Sequence, residues 1–434
     1  MKIKDLKDNF DKQIEINGFV DNVRNLQWVQ FLIIKDITGS VQVTIEKSDE
    51  SNSKLVEIVN NLSIGSTVKI KGIVKENSKV KLNGMEIIPE DIIVTSISLN
   101  ELPINIKDKD AQEIDTRLDY RFLDLRNDFN KNIFIIQSDI VKYFREYLYS
   151  LDFLEIHTPK LIGTASESGS EVFEVKYFDR LAYLAQSPQF YKQMAMSSGF
   201  EKIFEVGPVF RAENSNTNRH TTEFTGFDVE FSYINSYEDV MDLEENMIKY
   251  SLNKINEKHS KILSDMYGST ISLPTKFPRI KLNDLYDELE KRYGYKVDDE
   301  EKNDLTREAE KLSYKYSMEE YNSEFLFVTD FPSEKRAFYH MRKDGIPQGY
   351  DLIFRGVEIT TGAQREHRFD ILKEQAKEKG LDKDVEFYLQ FFKYGCPPHG
   401  GFGIGIDRFT MLLLNLATIK ESMFIFRGPN RLNP

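Results

Sequence analysis

Between residues 14 and 94 the chain runs through five short segments rich in Val and Ile, at 14–20, 31–37, 41–46, 67–74 and 85–94, each bounded by Gly, Asn or Asp. Segments of that length and composition read as strands. With one helical stretch at 53–62 between the third and the fourth, they leave few ways to bury their apolar faces. A five-stranded barrel of the oligonucleotide-binding (OB) kind fits this order, and a small β-sandwich is the open alternative.

The barrel uses under a quarter of the 434 residues, so length alone calls for at least one more domain. The stretch 99–115 (LNELPINIKDKDAQEID) is polar and holds a proline, the composition of a linker. The expected organisation is therefore a barrel over 1–96, a linker over 97–132 and a larger domain over 133–434. In that domain Phe134, Val141, Phe144 and Leu148 recur at helical spacing, and FLEIHTP reads as a strand stopped by Pro159. Ser236, with Glu238 and Asp239 behind it, opens a helix expected over 236–257. Strands return at 324–330 and 350–360, and a last helix spans 405–415. The charged stretch 282–321 is helical in character and is expected to be a peripheral insertion. The fold class is α+β.

No apolar run approaches the ~20 residues of a membrane span. The N-terminus, MKIKDLKDNF, carries charges where an export signal needs an apolar stretch, so a cytoplasmic location is expected. A single cysteine, Cys396, excludes an internal disulfide and a Cys-rich zinc site, and is expected as a small buried side chain. The net charge of −13 argues against a nucleic-acid partner only until it is located. Residues 1–100 carry 13 Lys+Arg against 14 Asp+Glu, so the barrel is nearly neutral and can present a local basic face.

Neither a GxxxxGK[ST] phosphate loop nor a GxGxxG fingerprint occurs. Three arginine-bearing segments are the candidates to hold phosphate instead: FRAENSNTNRHTTEF at 210–224, GVEITTGAQREHR at 356–368 and GGFGIGIDRF at 400–409. A guanidinium stays charged and can bind two phosphate oxygens at once. Taken singly, each of these arginines reads as readily as a surface ion pair.

Together, FRAE, RHTTEF and GIGIDR resemble motifs 2 and 3 of the class II aminoacyl-tRNA synthetases, and FLEIHTP resembles motif 1. The resemblance extends through the barrel, RLDYRFLDLR at 117–126, QSPQFYKQ at 186–193 and the terminal RLNP, and is nearest to the aspartyl-tRNA synthetase family in its archaeal and eukaryotic style. It implies an antiparallel catalytic sheet flanked by helices, and a two-fold homodimer built on motif 1. It also implies ATP and L-aspartate as substrates, and tRNA(Asp) as acceptor with tRNA(Asn) as an open second one. Residue by residue, Arg211 would bind the α-phosphate, Glu213 the adenine amino group and Phe224 the base. Arg219 and His220 would meet the outer phosphates, with Arg408 on the γ-phosphate. Asp351 and Glu358 match the carboxylates that hold Mg²⁺. Arg24, Phe31 and Gln42 fall where the family reads anticodon bases, Phe31 being a barrel-core residue on the alternative reading.

Substrate choice is implied by Lys192 and Arg365, which match the cations that grip the aspartate side chain, while Gln189 and Glu167 match the groups that meet its α-ammonium. Glu167 lies in TASESGSE at 164–171, a loop whose Ser and Gly content suits a lid. The spelling RAENSNT is common in asparaginyl-tRNA synthetases, the nearest relatives, whereas GVEITTGAQRE is not. The alternatives are an asparaginyl-tRNA synthetase, and a non-catalytic RNA-binding or regulatory protein on the same fold. An ammonia-dependent asparagine synthetase lacks the barrel that residues 1–96 supply.

Overall fold

Along 31–34 and 41–45, Leu32, Ile34, Val41, Val43 and Ile45 are buried and the residues between them are not, the period of two that a strand imposes on its side chains. The computed structural model describes residues 1–164, 172–215 and 217–434 and divides into two compact units, Met1–Pro103 and Ile104–Pro434. In the first, β1 (Gln13–Asn25), β2 (Val29–Asp36), β3 (Gly39–Glu46), β4 (Thr67–Glu76) and β5 (Met85–Ser96) close into a barrel of order β1-β2-β3-β5-β4. The closure removes the sandwich alternative. Helix α1 (Ser53–Asn60) buries Leu55 and Val59 in the same core.

The second unit begins with α2 (Ile114–Asp119), α3 (Arg121–Asp124), α4 (Asp128–Ser150) and β6 (Leu154–Glu155). A small three-stranded sheet follows, from β7 (Leu161–Ile162), β8 (Glu174–Tyr177) and β9 (Arg180–Leu184). Next come α5 (Gln189–Ser197), β10 (Lys202–Phe210), β11 (Glu223–Ser232), α6 (Tyr237–Tyr267), β12 (Arg279–Lys281), α7 (Leu282–Tyr293), α8 (Arg307–Tyr321) and β13 (Phe325–Thr329). The hairpin of β14 (Arg342–Lys343) and β15 (Ile346–Pro347) precedes β16 (Gly349–Phe354), β17 (Val357–Arg365), α9 (Phe369–Glu378), α10 (Glu386–Lys393), β18 (His399–Gly405), α11 (Ile406–Leu413) and α12 (Ile419–Ser422). Eight strands form the main sheet in the order β12-β13-β16-β17-β18-β11-β10-β6, antiparallel except at its two ends.

Each face of this sheet has its own partner. Phe227 and Val229 of β11, Leu352 and Phe354 of β16, and Phe402 and Ile404 of β18 turn to α4, α6 and α11, where they meet Phe144, Ile248, Leu252 and Phe409. A fully buried side chain of this size contributes roughly 1.5–3 kcal/mol. Helix α6 is opened by a capping box, Ser236 with Asp239. It runs ten residues past the expected end because Ile255, His259, Leu263 and Tyr267, all buried, continue its inward stripe. It stops at Gly268, whose φ of 55° is the left-handed cap that glycine accepts.

Two expectations need correction. The stretch 282–321 is helical but not peripheral: Leu282, Leu285, Leu289, Ala309 and Tyr316 of α7 and α8 are buried against Leu326, Val328 and Ile353 of the sheet. Its high charge lies on the outer faces of helices whose inner faces are apolar. The stretch 97–132 is not uniformly a linker, since residues from Ile104 belong to the second unit. There Arg117 is held to Asp124 at 2.9 Å, and Arg121 donates to the carbonyls of Glu421 at 3.0 Å and Met423 at 2.8 Å. Buried arginines explain a polar stretch that is nonetheless packed.

Candidate active site

The segment FTGFDVEF carries two alternating sets of residues. Phe227 and Val229 enter the core, and Phe224, Gly226, Asp228 and Glu230 share the opposite face of β11. On the neighbouring strand Gly403 stands across from Asp228 and Gly401 from Glu230. A Cβ on Gly401 would sit 2.0 Å from the Val229 carbonyl oxygen and 2.3 Å from Glu230 Oε2, so the glycine clears room for the carboxylate. Into that room α5 sends Lys192, 2% exposed, with Nζ 3.1 Å from Asp228 Oδ1 and 3.3 Å from Glu230 Oε2. Arg365, at the end of β17, donates from Nε to Glu230 Oε1 at 3.0 Å and from Nη2 to the Gly401 carbonyl at 2.9 Å. Burial works to raise the Glu230 carboxyl, but Arg365 and Lys192 overcome it and hold the group below its ordinary value. Burial wins at Asp228, whose pKa is raised in spite of Lys192. His340 is kept neutral by burial and by Arg365, and its Nε2 accepts from Arg365 Nη1 at 3.3 Å. Two buried cations thus share one firmly ionised carboxylate.

Further along the same face the charge is mostly guanidinium. Arg211 follows β10 and lies with its Cζ 5.4 Å from the centroid of the half-buried Phe224 ring. Glu213 reaches toward Arg211 Nη1 at 4.0 Å and His220 Nε2 at 3.7 Å, and burial lowers the pKa of His220. Arg219 is tied to Glu310 of α8 at 2.5 Å. Arg408, in the first turn of α11, donates to the backbone carbonyl of Glu358 at 2.9 Å. Burial lowers its pKa, opposed by Glu358 and assisted by Arg211.

Asp351 and Glu358 sit on the two strands of one hairpin. Ile353 is two residues from Asp351 and pairs with Glu358 across a register shift, so both carboxylates share a face. Burial and the neighbouring Asp351 push the Glu358 carboxyl up to about 7. Asp351 accepts from both terminal nitrogens of Arg336, at 2.8 and 2.7 Å. A cavity of about 340 Å³ is lined by Gln189, Lys192 and Arg365, by Arg211, Glu213, Arg219, His220 and Phe224, and by Glu358 and Arg408.

Residues 113–426 match the family model for tRNA synthetases class II (D, K and N). The chain belongs to the class II tRNA synthetases of the D, K and N group. Residues 14–95 match the OB-fold nucleic acid binding domain. The chain is 43% identical to the aspartate–tRNA(Asp) ligase of Pyrococcus abyssi over 98% of its length and 96% of the relative's. It is 39% identical to the aspartate–tRNA(Asp/Asn) ligase of Aeropyrum pernix, covering 97% and 96%. Among solved structures, the asparaginyl-tRNA synthetase of Pyrococcus horikoshii complexed with asparaginyl-adenylate superposes with a TM-score of 0.89 at 31% identity, covering 98% of this chain and 97% of that one. The fold is therefore common to aspartyl and asparaginyl members, and the side chains of the cavity must carry the distinction.

For this class II chain, ten of the residues singled out in the sequence meet in one cavity. Asp351 lies beside it, engaged by Arg336, and Glu167 falls outside the described residues. On the barrel Arg24 pairs with Phe31 and Ile33 with Gln42, so Arg24, Phe31 and Gln42 share one outward face while Leu32 and Ile34 fill the core. Phe31 is not a core residue. Cys396 is half-buried, and burial pushes its thiol to about 12. The sequence reading missed Asp228, Glu230, His340, Arg336 and Glu310. For Asp228 and Glu230 the signal was present: two acids at alternate positions of an otherwise apolar strand must face something other than the core.

Proposed function

We propose that the chain is an aspartate–tRNA ligase, which joins L-aspartate to ATP as aspartyl-adenylate and passes the aspartyl group to the 3′ end of tRNA(Asp). One observation carries this reading: a single cavity holds the buried cations Lys192 and Arg365 together with Arg211, Arg219 and Arg408. The side-chain carboxylate of aspartate meets Lys192 and Arg365. Asparagine, offering an amide, would forgo pairing with buried charges, which costs on the order of 3–5 kcal/mol. Gln189 and Asp228 are the acceptors nearest to hand for the α-ammonium, with Glu167, outside the described residues, a further partner implied by the family resemblance.

In the first step an oxygen of the α-carboxylate forms a bond to the α-phosphorus of ATP, and the bond from that phosphorus to pyrophosphate breaks. Arg211 stabilises the charge that grows on the α-phosphate, the kind of contact worth most in the transition state. Arg219, His220 and Arg408 hold the outer phosphates, Glu213 accepts from the adenine amino group and Phe224 stacks on the base. The ribose hydroxyl of tRNA then attacks the activated carbonyl and AMP leaves.

Mg²⁺ fits this site. Glu358 has a half-buried carboxyl whose ionisation is opposed by its surroundings, and Asp351, held by Arg336, shares its face. Among the described residues no group of three or more His, Cys, Asp or Glu is arranged around a metal. An ion held by Asp351 and Glu358 would therefore complete its shell with phosphate oxygens and water, as Mg²⁺ prefers. Bound there, it would neutralise charge on the leaving pyrophosphate.

Arg24, Phe31 and Gln42 would read anticodon bases by stacking and hydrogen bonding. A homodimer through motif 1 is supported by the half-exposed Leu154 and Tyr149 beside the edge strand β6. No helix among the described residues is long and apolar enough to cross a membrane. The test is charging of tRNA(Asp) and tRNA(Asn) transcripts with labelled aspartate and asparagine. Aspartate on tRNA(Asp) is the expected product, and aspartate on both would widen the acceptor range. Asparagine on tRNA(Asn) alone, or no charging at all, would overturn the reading.

A further inference from the structure

Gln193 is fully buried behind the cavity and belongs to a row of hydrogen bonds whose direction is set at one end. The carbonyl oxygen of Pro397 can only accept, so His399 Nδ1, 2.8 Å away, carries the ring proton. Burial lowers the pKa of His399 to about 4, so the ring is neutral and Nε2 is bare. The Gln193 atom 3.0 Å from that Nε2 must then be the donating amide nitrogen. Its oxygen is turned the other way, where it accepts from the Tyr388 hydroxyl at 3.0 Å and from the Gln189 amide nitrogen at 2.8 Å. Gln189, which lines the cavity, is left to present its oxygen, an acceptor only.

We propose that Gln193, backed by His399 and Tyr388, is a positioning residue that locks the Gln189 amide with its oxygen toward the cavity, so that the site selects ligands bearing a free α-ammonium. This rests on reading the cavity as an aspartate site. Without the lock, the Gln189 amide can turn and offer N–H instead, which repels an ammonium. The donor and acceptor sequence from Pro397 to Gln189 admits one arrangement, and Gln193, His399 and Tyr388 are not among the residues that line the cavity.

The experiment uses full-length Gln193→Met and Tyr388→Phe in aspartate-dependent ATP–pyrophosphate exchange, with succinate as competitor. Succinate has both carboxylates of aspartate and no ammonium. For Gln193→Met the expected result is a KM for aspartate raised about tenfold, with kcat, the KM for ATP and the succinate inhibition constant within about twofold. Tyr388→Phe removes one of two donors to the Gln193 oxygen and should show the same pattern at about threefold, which carries the test if Gln193→Met does not fold. Equal losses for aspartate, ATP and succinate would mean a merely structural role, and an unchanged KM for aspartate in both variants would mean no role. Either overturns the proposal while leaving the aspartate reading intact. A wild-type chain inert toward aspartate overturns both.

Discussion

Lys192 is an ammonium with almost no access to water, held between two carboxylates one of which is shared with Arg365. A charge so placed is tolerable only while it is paired, and it attracts whatever carboxylate can enter beside it. Lys192→Ala should therefore lower kcat/KM for aspartate by roughly 10²- to 10³-fold, the equivalent of about 3–4 kcal/mol, and steady-state exchange kinetics read this directly. A fall of less than tenfold would remove Lys192 from the substrate's path. A second buried group predicts pH behaviour. Glu244 accepts from the Tyr350 hydroxyl at 2.7 Å, and the Thr360 hydroxyl also faces its carboxyl. Burial pushes its pKa from 4.5 to about 8. An acid raised on folding holds a proton that the unfolded chain has lost, so its contribution is fully present below pH 4.5 and is lost as pH rises through about 8. Glu244→Gln mimics the protonated acid and should flatten that decline, gaining on the wild type by on the order of a few kcal/mol between pH 5 and pH 9 in urea unfolding. Parallel stability curves for the two proteins would contradict it.

At the scale of elements, the site depends on one face of the sheet being shared between the cavity and the pair α7 and α8. These helices cover Leu326, Val328 and Ile353 next to Asp351, and α8 supplies Glu310 to Arg219. Leu285→Ala should cost about 2–5 kcal/mol in urea unfolding, the ordinary effect of a core cavity. A cost under 1 kcal/mol would restore the peripheral role that the sequence suggested. That misreading has a physical source: of α8's fifteen residues, few besides Ala309, Ser313, Tyr316 and Ser317 are buried, and two of those are serines. Composition dilutes a stripe that is small or polar. The barrel strands were legible because Val and Ile are concentrated in short segments bounded by Gly, Asn or Asp, and α6 was legible from its Ser236 cap. The ten cavity-lining residues were legible through motif spelling rather than through periodicity. Asp351 and Glu358 show the limit of spacing: seven residues apart on one straight strand they would oppose each other, and only the hairpin and its shifted register bring them to one face. Arg336 and His340, from the segment between β13 and β14, had no local pattern to mark them.

Across the whole molecule, two units with separate cores divide the labour, one offering Arg24, Phe31 and Gln42 on a barrel face and the other the cavity. If the barrel reads RNA, Phe31→Ala should lower kcat/KM for tRNA by roughly 5- to 100-fold, the worth of one stacked base, and leave tRNA-independent exchange unchanged. Loss of both activities would point to misfolding instead. The most direct test of the account is ATP–pyrophosphate exchange on the purified full-length chain with aspartate and asparagine side by side. The cavity predicts exchange with aspartate exceeding that with asparagine by at least 10²-fold, in keeping with about 3 kcal/mol for forgoing one further buried ion pair beside Glu230. Exchange driven equally well by asparagine, or none with either, would contradict it.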